Sequence, residues 1–548
     1  MKLVIVGGVA GGASAAARAR RLSESAEIIL LERGPDVSFA NCGLPYHIGG
    51  EIADRGKLLV ATPEFLRQRM NLDVRTRSNV TKIDRAAKSV TVRNLDSGEE
   101  YQLSYDKLLL APGASPFKPP AEGIDLPGIY TLRNLQDTDR IKQAVDAGVQ
   151  HAVMVGAGFI GLELVENLIN RGVKTTLIEL QNQILPPLDR EMTIPMLRKL
   201  REKGVDVRLG DSAEGYKAAP HGLDVRLKSG ETLAAQLVIL GVGVRPENAL
   251  ATDAGLEIGP RGGIRVDEFM RTSDPDIYAV GDAVETFDFI LNERAQVPLA
   301  GPANRQGRIA ADNIFGRNTA FRGTQGTAVV GLFNLSAAMT GCSEKALQRS
   351  KRNYRVAWIH PNNHAGYYPG AEQMTLKITF DPNDGKILGA QGVGGAGVDK
   401  RIDVLAVAIQ ARMTVYDLEQ LELCYAPQFG SAKDPVNMLG FVAAGILRGD
   451  HPQITAVEVQ SQLAESPPYI LDVRTEMEFD RGHLPNAVNI PVDSLRSRLN
   501  EVPTDRPIVA YCQVGMRGYL ATRILLQNQR QVQNLSGGYR AWDLFQAK

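Results

Sequence analysis

The 548-residue sequence has few cysteines, and its four are far apart: Cys42, Cys342, Cys424 and Cys512. They form no C-x-x-C pair, which argues against both a zinc ribbon and a disulfide-stapled fold, so no metal site is expected. This use of cysteine fits a reducing, cytoplasmic environment best.

The sequence also lacks an excess of charge of either sign, because 62 Lys and Arg balance 62 Asp and Glu. A neutral chain gives no general electrostatic reason to expect a nucleic acid or an anionic membrane as partner. No apolar run approaches the roughly 20 residues of a membrane-spanning helix, so no membrane partner is expected. At about 100 to 200 residues per domain, the length predicts three to five domains.

A dinucleotide-site pattern of strand, glycine turn, helix, strand and acid begins at residue 2. An apolar strand at residues 2–6 leads into the turn, and the next strand ends at Glu32. The turn residues expected at the dinucleotide are Gly7, Gly8, Ala10, Gly11 and Gly12. Glycines let the backbone approach a pyrophosphate, the helix N-terminus faces its charge, and the acid accepts from ribose hydroxyls. Val9 replaces the middle glycine of G-x-G-x-x-G, which weakens this match.

The same pattern recurs from His151, and its turn fits the fingerprint fully. The expected contacts are Gly156, Gly158, Phe159, Ile160 and Gly161. The following strand ends at Glu179, a carboxylate that accepts from a free 2′-hydroxyl and repels a 2′-phosphate, and the next ten residues contain no Arg. NADH is therefore favoured over NADPH. Two such units imply two redox carriers, with FAD at the first and a nicotinamide at the second.

Three further segments extend the pattern: LLAPGA at 109–114, VILGVGVRP at 238–246 and TSDPDIYAVGD at 272–282. With them, residues 1–445 resemble the pyridine nucleotide-disulfide oxidoreductase family. The resemblance implies an FAD domain at 1–112 and 246–325, an NAD domain at 113–245 and a dimerisation domain at 326–445. It also implies Gly113 at the domain crossover, Gly281 beside the flavin, and Asp282 at the ribityl-phosphate region.

Cys42 follows the first unit in the segment SFANCGLPY at 38–46, without the second cysteine that dithiol members of the family have a few residues on. A single redox thiol needs an outside partner, so its oxidised form is a sulfenic acid or a mixed disulfide. The chemistry is then reduction of peroxide or oxygen, or cleavage of a small-molecule disulfide or persulfide. Peroxide-reducing relatives have a histidine in the first glycine turn, where this sequence has Ala10. The structural alternative is a buried, inert cysteine.

The SFANCGLPY segment resembles coenzyme A-disulfide reductases and related NADH-dependent persulfide reductases. Positions that line the coenzyme A site in those relatives correspond here to Ser14, Arg18, Arg21, Ser38 and Asn41. Arg18 and Arg21 are three residues apart on a predicted helix and share one face. That face either pairs with coenzyme A phosphates or is simply solvated.

Residues 326–445 contain strand-like runs at 354–359 and 374–380 and a helical stretch at 400–413, and they resemble the family's dimerisation domain. HAGYYPG at 364–370 and CYAP at 424–427 match segments that bring tyrosines to the partner subunit's cysteine in coenzyme A-disulfide reductases. The resemblance implies Tyr367 and Tyr425 as donors to the leaving sulfur or bound thiol, with Lys433 near the ligand. An active site shared between subunits implies an obligate homodimer.

Polar residues at 446–455 predict a linker, after which a new α/β pattern begins. ILDVR at 470–474, GHLPNA at 482–487 and LSGGY at 535–539 give residues 456–548 the resemblance of a rhodanese domain. A strand at 507–511 leads to Cys512 in the loop CQVGMR. A six-residue loop before a helix aims backbone N–H groups at a thiolate, and Arg517 adds charge stabilisation of a bound sulfur oxyanion or persulfide. The alternative is an inactive scaffold domain.

The predicted fold class is α/β: two Rossmann-type domains for FAD and NAD, an α+β dimerisation domain and a C-terminal α/β rhodanese domain. The expected function is NADH- and FAD-dependent reduction of coenzyme A persulfide, polysulfide or coenzyme A disulfide at Cys42, with sulfane-sulfur transfer at Cys512. One alternative is an NADH oxidase or peroxidase that cycles Cys42 through sulfenic acid. Another is a flavin-bearing sulfur carrier or redox sensor in which Cys512 does the main work.

Overall fold

The computed structural model describes residues 1–547 and divides the chain into two compact units. Unit 1 comprises Met1–Asn182 and Lys203–Gly326, and unit 2 comprises Gln183–Glu202 and Thr327–Lys548. Both units combine helices with sheets, as the predicted α/β class requires. Within residues 1–547, no helix is both long enough and apolar enough to cross a membrane.

The first sheet of unit 1 has five parallel strands around a central N-terminal strand. In sheet order they are Ile277–Ala279, Lys107–Leu110, Lys2–Val6, Glu27–Leu31 and Asp73–Arg75. Most of their side chains are buried, as in parallel sheets covered on both faces. Since Ile277–Ala279 pairs with Lys107–Leu110, the sheet is completed only after a long insertion in the chain.

Two helices of unit 1, Ala10–Leu22 and Ala300–Ile314, pack closely against each other. A Cβ atom on Gly307 would overlap the carbonyl oxygen of Gly11, so glycine at this position permits the close approach. The first helix begins inside the glycine turn that follows Lys2–Val6. Its N-terminus is therefore placed at the carboxyl edge of the sheet.

The insertion contains a second five-stranded parallel sheet. In sheet order its strands are Asp206–Leu209, Lys174–Glu179, His151–Val155, Leu237–Leu240 and Ile129–Thr131. Helix Phe159–Asn170 follows the central strand. The antiparallel pair Ala114–Pro116 and Val244–Pro246 lies where the chain enters and leaves the insertion.

The remaining strands of unit 1 form three-stranded sheets. They are Ser78–Asp84, Ser89–Asn94 and Glu100–Ser104; Ala213–Ala219, Gly222–Leu227 and Thr232–Ala235; and Ile264–Arg265, Val284–Asp288 and Glu293–Ala295. Its other helices are Leu44–Gly49, Pro63–Met70, Leu135–Asp146 and Ala249–Asp253. Local sequence sets these bounds: before Pro63–Met70, the Thr62 hydroxyl accepts from the N–H of Phe65, and the left-handed Asn71 ends the helix.

Unit 2 begins with an antiparallel five-stranded sheet. Its order is Ala328–Leu332, Leu335–Gly341, Ile387–Gly394, Thr375–Phe380 and Arg355–Ile359. The accompanying helices are Arg190–Glu202, Glu344–Arg349, Val398–Gln410, Val415–Glu419 and Pro435–Arg448. Both strands and the helix predicted for this region are present, with ends shifted by one to three residues.

The side chain of Lys377 is fully buried in unit 2, with three carboxylates around its ammonium group. Its Nζ lies 2.7 Å from Asp189 Oδ2, 2.6 Å from Glu191 Oε1 and 2.5 Å from Glu344 Oε1. Burial alone would lower the pKa of Lys377, but attraction by the carboxylates outweighs it and raises that pKa above its usual value. The ammonium group is therefore the cation that holds these acids together.

The C-terminal part of unit 2 is a parallel five-stranded sheet flanked by helices. Its order is Gln453–Ile454, Val532–Leu535, Ile508–Tyr511, Tyr469–Asp472 and Val488–Asn489. The helices are Ala456–Glu465, Glu476–Asp480, Val492–Leu495, Met516–Gln527 and Gly538–Gln546.

Five of the ten residues in the predicted linker, 446–455, lie in a helix or a strand. Helix Pro435–Arg448 continues into it, and Gln453–Ile454 pairs with Asn534 and Leu535 as an edge strand of the C-terminal sheet. The Thr455 side chain then caps helix Ala456–Glu465 in a capping box with Glu458. Polar composition predicted a loop here because backbone pairing with a distant strand leaves no local signal.

Candidate active site

The first glycine turn forms a close backbone cradle. Gly7 has φ +98°, and a Cβ there would overlap the carbonyl oxygen of Ala111; a Cβ on Gly12 would overlap that of Gly7. The N–H of Gly8 donates to Glu32 Oε2 at 2.8 Å, and the N–H of Gly34 donates to Oε1 at 2.7 Å. The turn, the start of helix Ala10–Leu22 and the acid thus meet at one edge, as a bound dinucleotide requires.

The second turn repeats this arrangement in the inserted domain. Gly156 has φ +103°, and Cβ atoms on Gly156 and Gly161 would overlap the carbonyl oxygens of Gly241 and Gly156. The N–H of Ala157 donates to Glu179 Oε2 at 2.8 Å, and that of Gln181 to Oε1 at 2.9 Å. Gly158, Phe159 and Ile160 lie at the start of helix Phe159–Asn170. These residues fit a nicotinamide dinucleotide.

Cys42 lies close to the first turn because the chain before it is tied there. Ser38 adopts a left-handed conformation with φ 47°, and its N–H donates to the carbonyl oxygen of Gly8 at 2.8 Å. Cys42 then sits in the short 3₁₀ turn Asn41–Gly43, ahead of helix Leu44–Gly49, and its side chain is exposed. The alternative of an inert cysteine in apolar packing does not fit this position.

Two carboxylates, those of Glu163 and Asp282, act electrostatically on Cys42. Although the residue is accessible to solvent, partial burial of the thiol raises its pKa, and these two charges raise it further, against a backbone hydrogen bond that lowers it. These groups favour the neutral thiol over the thiolate. Burial also raises the pKa of Asp282, against the attraction of Arg133.

Two residues of this site, Glu163 and Tyr46, were not predicted as site residues from the sequence. Glu163 lies on helix Phe159–Asn170, one turn beyond Phe159, and accepts a hydrogen bond from the Tyr46 hydroxyl at 3.4 Å. Burial raises the pKa of Glu163 to about 7, with Glu166 adding to the effect and Tyr46 opposing it. Glu163 therefore changes charge near neutral pH, within electrostatic reach of Cys42.

We expect Glu163→Gln to lower the pKa of the Cys42 thiol. Above pH 7 the wild-type Glu163 is ionised and repels a thiolate, so the variant's Cys42 should react with iodoacetamide about two- to fivefold faster at pH 8. Below pH 7 Glu163 is already neutral, and the difference should vanish. Mass spectrometry of the Cys42 peptide measures this reaction separately from that of the other cysteines.

The control is Glu166→Gln, which removes a carboxylate that acts on Glu163 rather than on Cys42. Because Glu166 raises the pKa of Glu163, Glu163 should ionise at a lower pH in Glu166→Gln than in wild type. Alkylation of Cys42 should still be slowed by ionised Glu163 in this variant, but the slowing should begin at that lower pH. Equal alkylation rates for Glu163→Gln and wild type from pH 6 to 9 would show that Glu163 does not act on Cys42.

The arginines proposed for coenzyme A phosphates are in different environments. Arg18 pairs with Asp312 on helix Ala300–Ile314, with Nη2 2.7 Å from Oδ1, whereas Arg21 is exposed. Ser14 also bonds to that helix, through Asn304, and the amide of Asn41 donates to the carbonyl oxygen of Arg133 at 3.4 Å. Sequence spacing predicted that Arg18 and Arg21 form one basic helix face. Asp312, which is distant in sequence, neutralises the charge of Arg18, so only Arg21, of the residues that the structure describes, keeps an unpaired charge on that face.

In unit 2, Tyr367 and Tyr425 come together although they are distant in sequence. Their hydroxyl groups lie 2.8 Å apart, and both side chains are exposed. The hydrogen bond from one to the other raises the pKa of Tyr367. Lys433 is also exposed, immediately before the cap of helix Pro435–Arg448.

Cys512 follows strand Ile508–Tyr511 at the start of a tight loop, and its side chain is buried. The N–H of Gly515, which has φ +108°, donates to Cys512 Sγ at 3.2 Å. A Cβ on Gly538 would overlap the carbonyl oxygen of Cys512, so glycine lets the neighbouring helix close over the loop. The loop thus presents backbone N–H to sulfur, as its length predicts.

Arg517 interacts with a carboxylate as well as with Cys512. Both of its terminal nitrogens pair with Glu478, a residue that the sequence did not single out. The hydrogen bonds with Glu478 raise the pKa of Arg517, with a smaller contribution from Cys512 and against the effect of burial.

The fold and these sites define an oxidoreductase with two dinucleotide-binding domains, joined to a domain that carries a sulfur-binding loop. Three family models match the chain: pyridine nucleotide-disulphide oxidoreductase at 1–307, the dimerisation domain of that family at 327–434, and a rhodanese-like domain at 455–544. The chain belongs to the pyridine nucleotide-disulphide oxidoreductase family. Membership implies FAD and NAD(H) as cofactors, and the dimerisation domain supports assembly as a homodimer.

Known relatives include a coenzyme A disulfide reductase of Staphylococcus haemolyticus, 36% identical over 444 residues, which are 81% of this chain and 99% of that protein. The reduced CoADR-RHD of Bacillus anthracis is 47% identical with a TM-score of 0.97, covering 99% and 98% of the two chains. A NAD-dependent persulfide reductase from A. fulgidus is 38% identical with a TM-score of 0.92, covering 99% and 100%. The predicted family, enzyme class and four-domain fold are therefore confirmed.

Proposed function

We propose that this protein uses NADH to reduce coenzyme A persulfide, polysulfide or coenzyme A disulfide at Cys42, and transfers sulfane sulfur at Cys512. We assign residues 1–112 and 246–325 to FAD, 113–245 to NAD, 326–445 to dimerisation and 456–548 to sulfur transfer. The observation that carries the proposal is the place of Cys42, tied through Ser38 to the first glycine turn and within reach of Asp282 and Glu163.

The first turn, Glu32, Gly113, Gly281 and Asp282 would hold FAD, and the second turn and Glu179 would hold NADH. Together the two cofactors would supply the electron pair that reduces a Cys42 adduct. The backbone donors Ala157 and Gln181 fix the Glu179 carboxylate, so it accepts from ribose hydroxyls and disfavours a 2′-phosphate. This supports NADH over NADPH.

Cys42 acts as the nucleophile toward the substrate. Its thiolate attacks the coenzyme A sulfur, forms a mixed disulfide and expels thiolate from a disulfide or hydrosulfide from a persulfide; two electrons then restore the thiolate and release coenzyme A. Ser14, Arg18, Arg21, Ser38 and Asn41 would hold coenzyme A. Because Asp312 already neutralises Arg18, we assign the larger share of phosphate binding to Arg21.

The tyrosine pair of unit 2 is suited to protonating a leaving sulfur. When one hydroxyl donates to the other, the second keeps its own proton to give, so Tyr367 and Tyr425 together present a donor. In the homodimer we place this pair, with Lys433, at the partner subunit's Cys42. Each active site is then completed by both chains.

One alternative is an oxidase that cycles Cys42 through sulfenic acid. The water-forming NADH oxidase of Lactobacillus brevis is 28% identical with a TM-score of 0.79, but the match covers only 82% of this chain. The two similar structures named for sulfur chemistry cover 99%, including the rhodanese-like domain. The longer match to these two structures favours sulfur substrates over oxygen or peroxide. Ala10 supports the same choice, because peroxide-reducing relatives have a histidine at this position in the first turn.

The test is NADH consumption by the wild-type holoenzyme, measured without oxygen for each sulfur compound and for peroxide, and in a separate assay with oxygen as the only acceptor. We expect turnover with coenzyme A persulfide, polysulfide or coenzyme A disulfide to exceed turnover with oxygen or peroxide by about 100-fold or more, because Cys42 reacts through sulfur exchange. Rapid NADH turnover with oxygen or peroxide and none with the sulfur compounds would establish the oxidase instead. Sulfur delivery without NADH turnover would establish the carrier.

A further inference from the structure

Glu478 holds Arg517, the arginine of the Cys512 loop, in a two-point ion pair. Arg517 Nη1 and Nη2 each lie 2.7 Å from a different carboxylate oxygen of Glu478. The hydrogen bonds from Arg517 lower the pKa of Glu478 to about 2, with help from Thr475 and against burial. Glu478 is therefore ionised at neutral pH and offsets the charge of Arg517.

The Glu478 carboxylate is held in place before any ligand arrives. Its Oε2 accepts hydrogen bonds from the N–H and the hydroxyl of Thr475, both at 3.0 Å, in the capping box of helix Glu476–Asp480. Substrate binding at Cys512 would have to break this arrangement to free Arg517.

The second arginine that reaches the loop is also paired. Arg474 is buried, bonds to both carboxylate oxygens of Asp472, and donates to the side chain of Gln513 at 3.1 Å. Each of these two arginines therefore has its own carboxylate partner.

Exposed apolar side chains neighbour both residues of the Arg517–Glu478 pair along the chain. Met516 precedes Arg517 and is 57% exposed, while Met477 precedes Glu478 and is 65% exposed. Leu520, one helical turn beyond Met516, is also exposed. Flexible methionines suit an organic ligand better than a small hydrated anion.

We propose that Glu478 sets the sulfur-donor specificity of Cys512: it offsets the charge of Arg517, disfavours dianionic donors such as thiosulfate and favours persulfides of organic thiols. The assignment rests on the proposed sulfur-transfer function of Cys512 and names its donor class. Met477 and Met516 contact the organic part of the donor.

An organic persulfide and thiosulfate release different leaving groups when Cys512 attacks their outer sulfur. The Cys512 thiolate attacks the outer sulfur of R–S–SH, the S–S bond breaks, and R–S⁻ departs with the electron pair and takes up the proton. Thiosulfate would give the same Cys512 persulfide but expel sulfite, which concentrates two negative charges. Stabilising that group requires a cation without a carboxylate attached.

The test compares wild-type holoenzyme with Glu478→Gln, because glutamine keeps the capping box and removes the charge. Mass spectrometry follows conversion of Cys512 to its persulfide with thiosulfate or with coenzyme A persulfide as donor. We expect kcat/KM for thiosulfate to rise about tenfold or more in the variant, and that for the persulfide to change less than about threefold. The gain with thiosulfate should fall as salt is added.

Glu476→Gln is the matched control, since it removes an acid from the same helix and leaves the Arg517 pair intact. An unchanged donor ratio in Glu478→Gln, or an equal change in Glu476→Gln, would overturn the assignment. Wild type that already prefers thiosulfate would overturn it as well. If Cys512 takes sulfur from neither donor in any of the proteins, the proposed sulfur-transfer function fails and not only its specificity.

Discussion

Cys42→Ser should lose NADH-dependent reduction of coenzyme A persulfide and disulfide by a factor of about 10³ or more, the scale on which removal of an enzyme nucleophile acts. A serine hydroxyl at this position is a much weaker nucleophile than a thiolate and cannot form a reducible sulfur adduct. NADH should still bleach the flavin absorbance, because the variant leaves both glycine turns, Glu32 and Glu179 unchanged. The step that Cys42→Ser loses should therefore be one that follows reduction of the flavin by NADH.

Cys512→Ser is the matched control, with the same one-atom change at the other proposed sulfur site. It should keep NADH-dependent coenzyme A disulfide reduction within about twofold of wild type and lose persulfide formation at residue 512. Cys42→Ser should show the reverse. Sulfur-substrate turnover that survives in Cys42→Ser, or disulfide reduction that disappears in Cys512→Ser, would contradict separate roles for the two thiols.

The sequence predicted those parts of the site that are formed by a strand, a turn and a helix that follow one another along the chain. A glycine turn between a strand and a helix fixes where a pyrophosphate lies, and Glu32 and Glu179 follow because the next parallel strand ends at the same edge. The tie between Ser38 and Gly8 could not be predicted in this way, since it depends on a left-handed residue with no glycine to mark it.

The unpredicted parts are side-chain pairs between distant segments. Arg18 was predicted to bind coenzyme A phosphates and is paired with Asp312, and Arg517 was predicted to stabilise charge at Cys512 and is paired with Glu478. Glu163 reaches the Cys42 region only because the inserted domain folds back on helix Leu44–Gly49. Sequence periodicity gives the face of a helix on which a residue lies, but not the residue that meets it. Each of these pairings therefore changes the charge of the site rather than the fold.

The buried ion cluster of unit 2 gives the second large prediction, on stability. Lys377→Met should lower the free energy of unfolding of unit 2 by about 3–5 kcal/mol, the usual cost of removing one partner from a buried ion pair. Methionine fills a similar volume but leaves Asp189, Glu191 and Glu344 close together without the ammonium group that contacts all three. The penalty should be smaller at pH 5 than at pH 8, because protonation of these carboxylates then relieves their repulsion.

Tryptophan fluorescence can follow this loss selectively, since both tryptophans, Trp358 and Trp542, belong to unit 2, and the Trp358 ring lies 4.8 Å from Lys377 Nζ. The control is Lys345→Met: the Lys345 ammonium donates to the neutral oxygens of Gln183 and Pro186, so its removal leaves no bare carboxylate and should cost only about 1–2 kcal/mol. If both variants lost the same free energy of unfolding at pH 8, Lys377 would contribute only as a buried amine. Its charge would then not be needed to compensate the three carboxylates. We expect Lys377→Met to lose more free energy of unfolding than Lys345→Met at pH 8, and this difference to become smaller toward pH 5. Only the attraction between Lys377 and the three carboxylates explains that result.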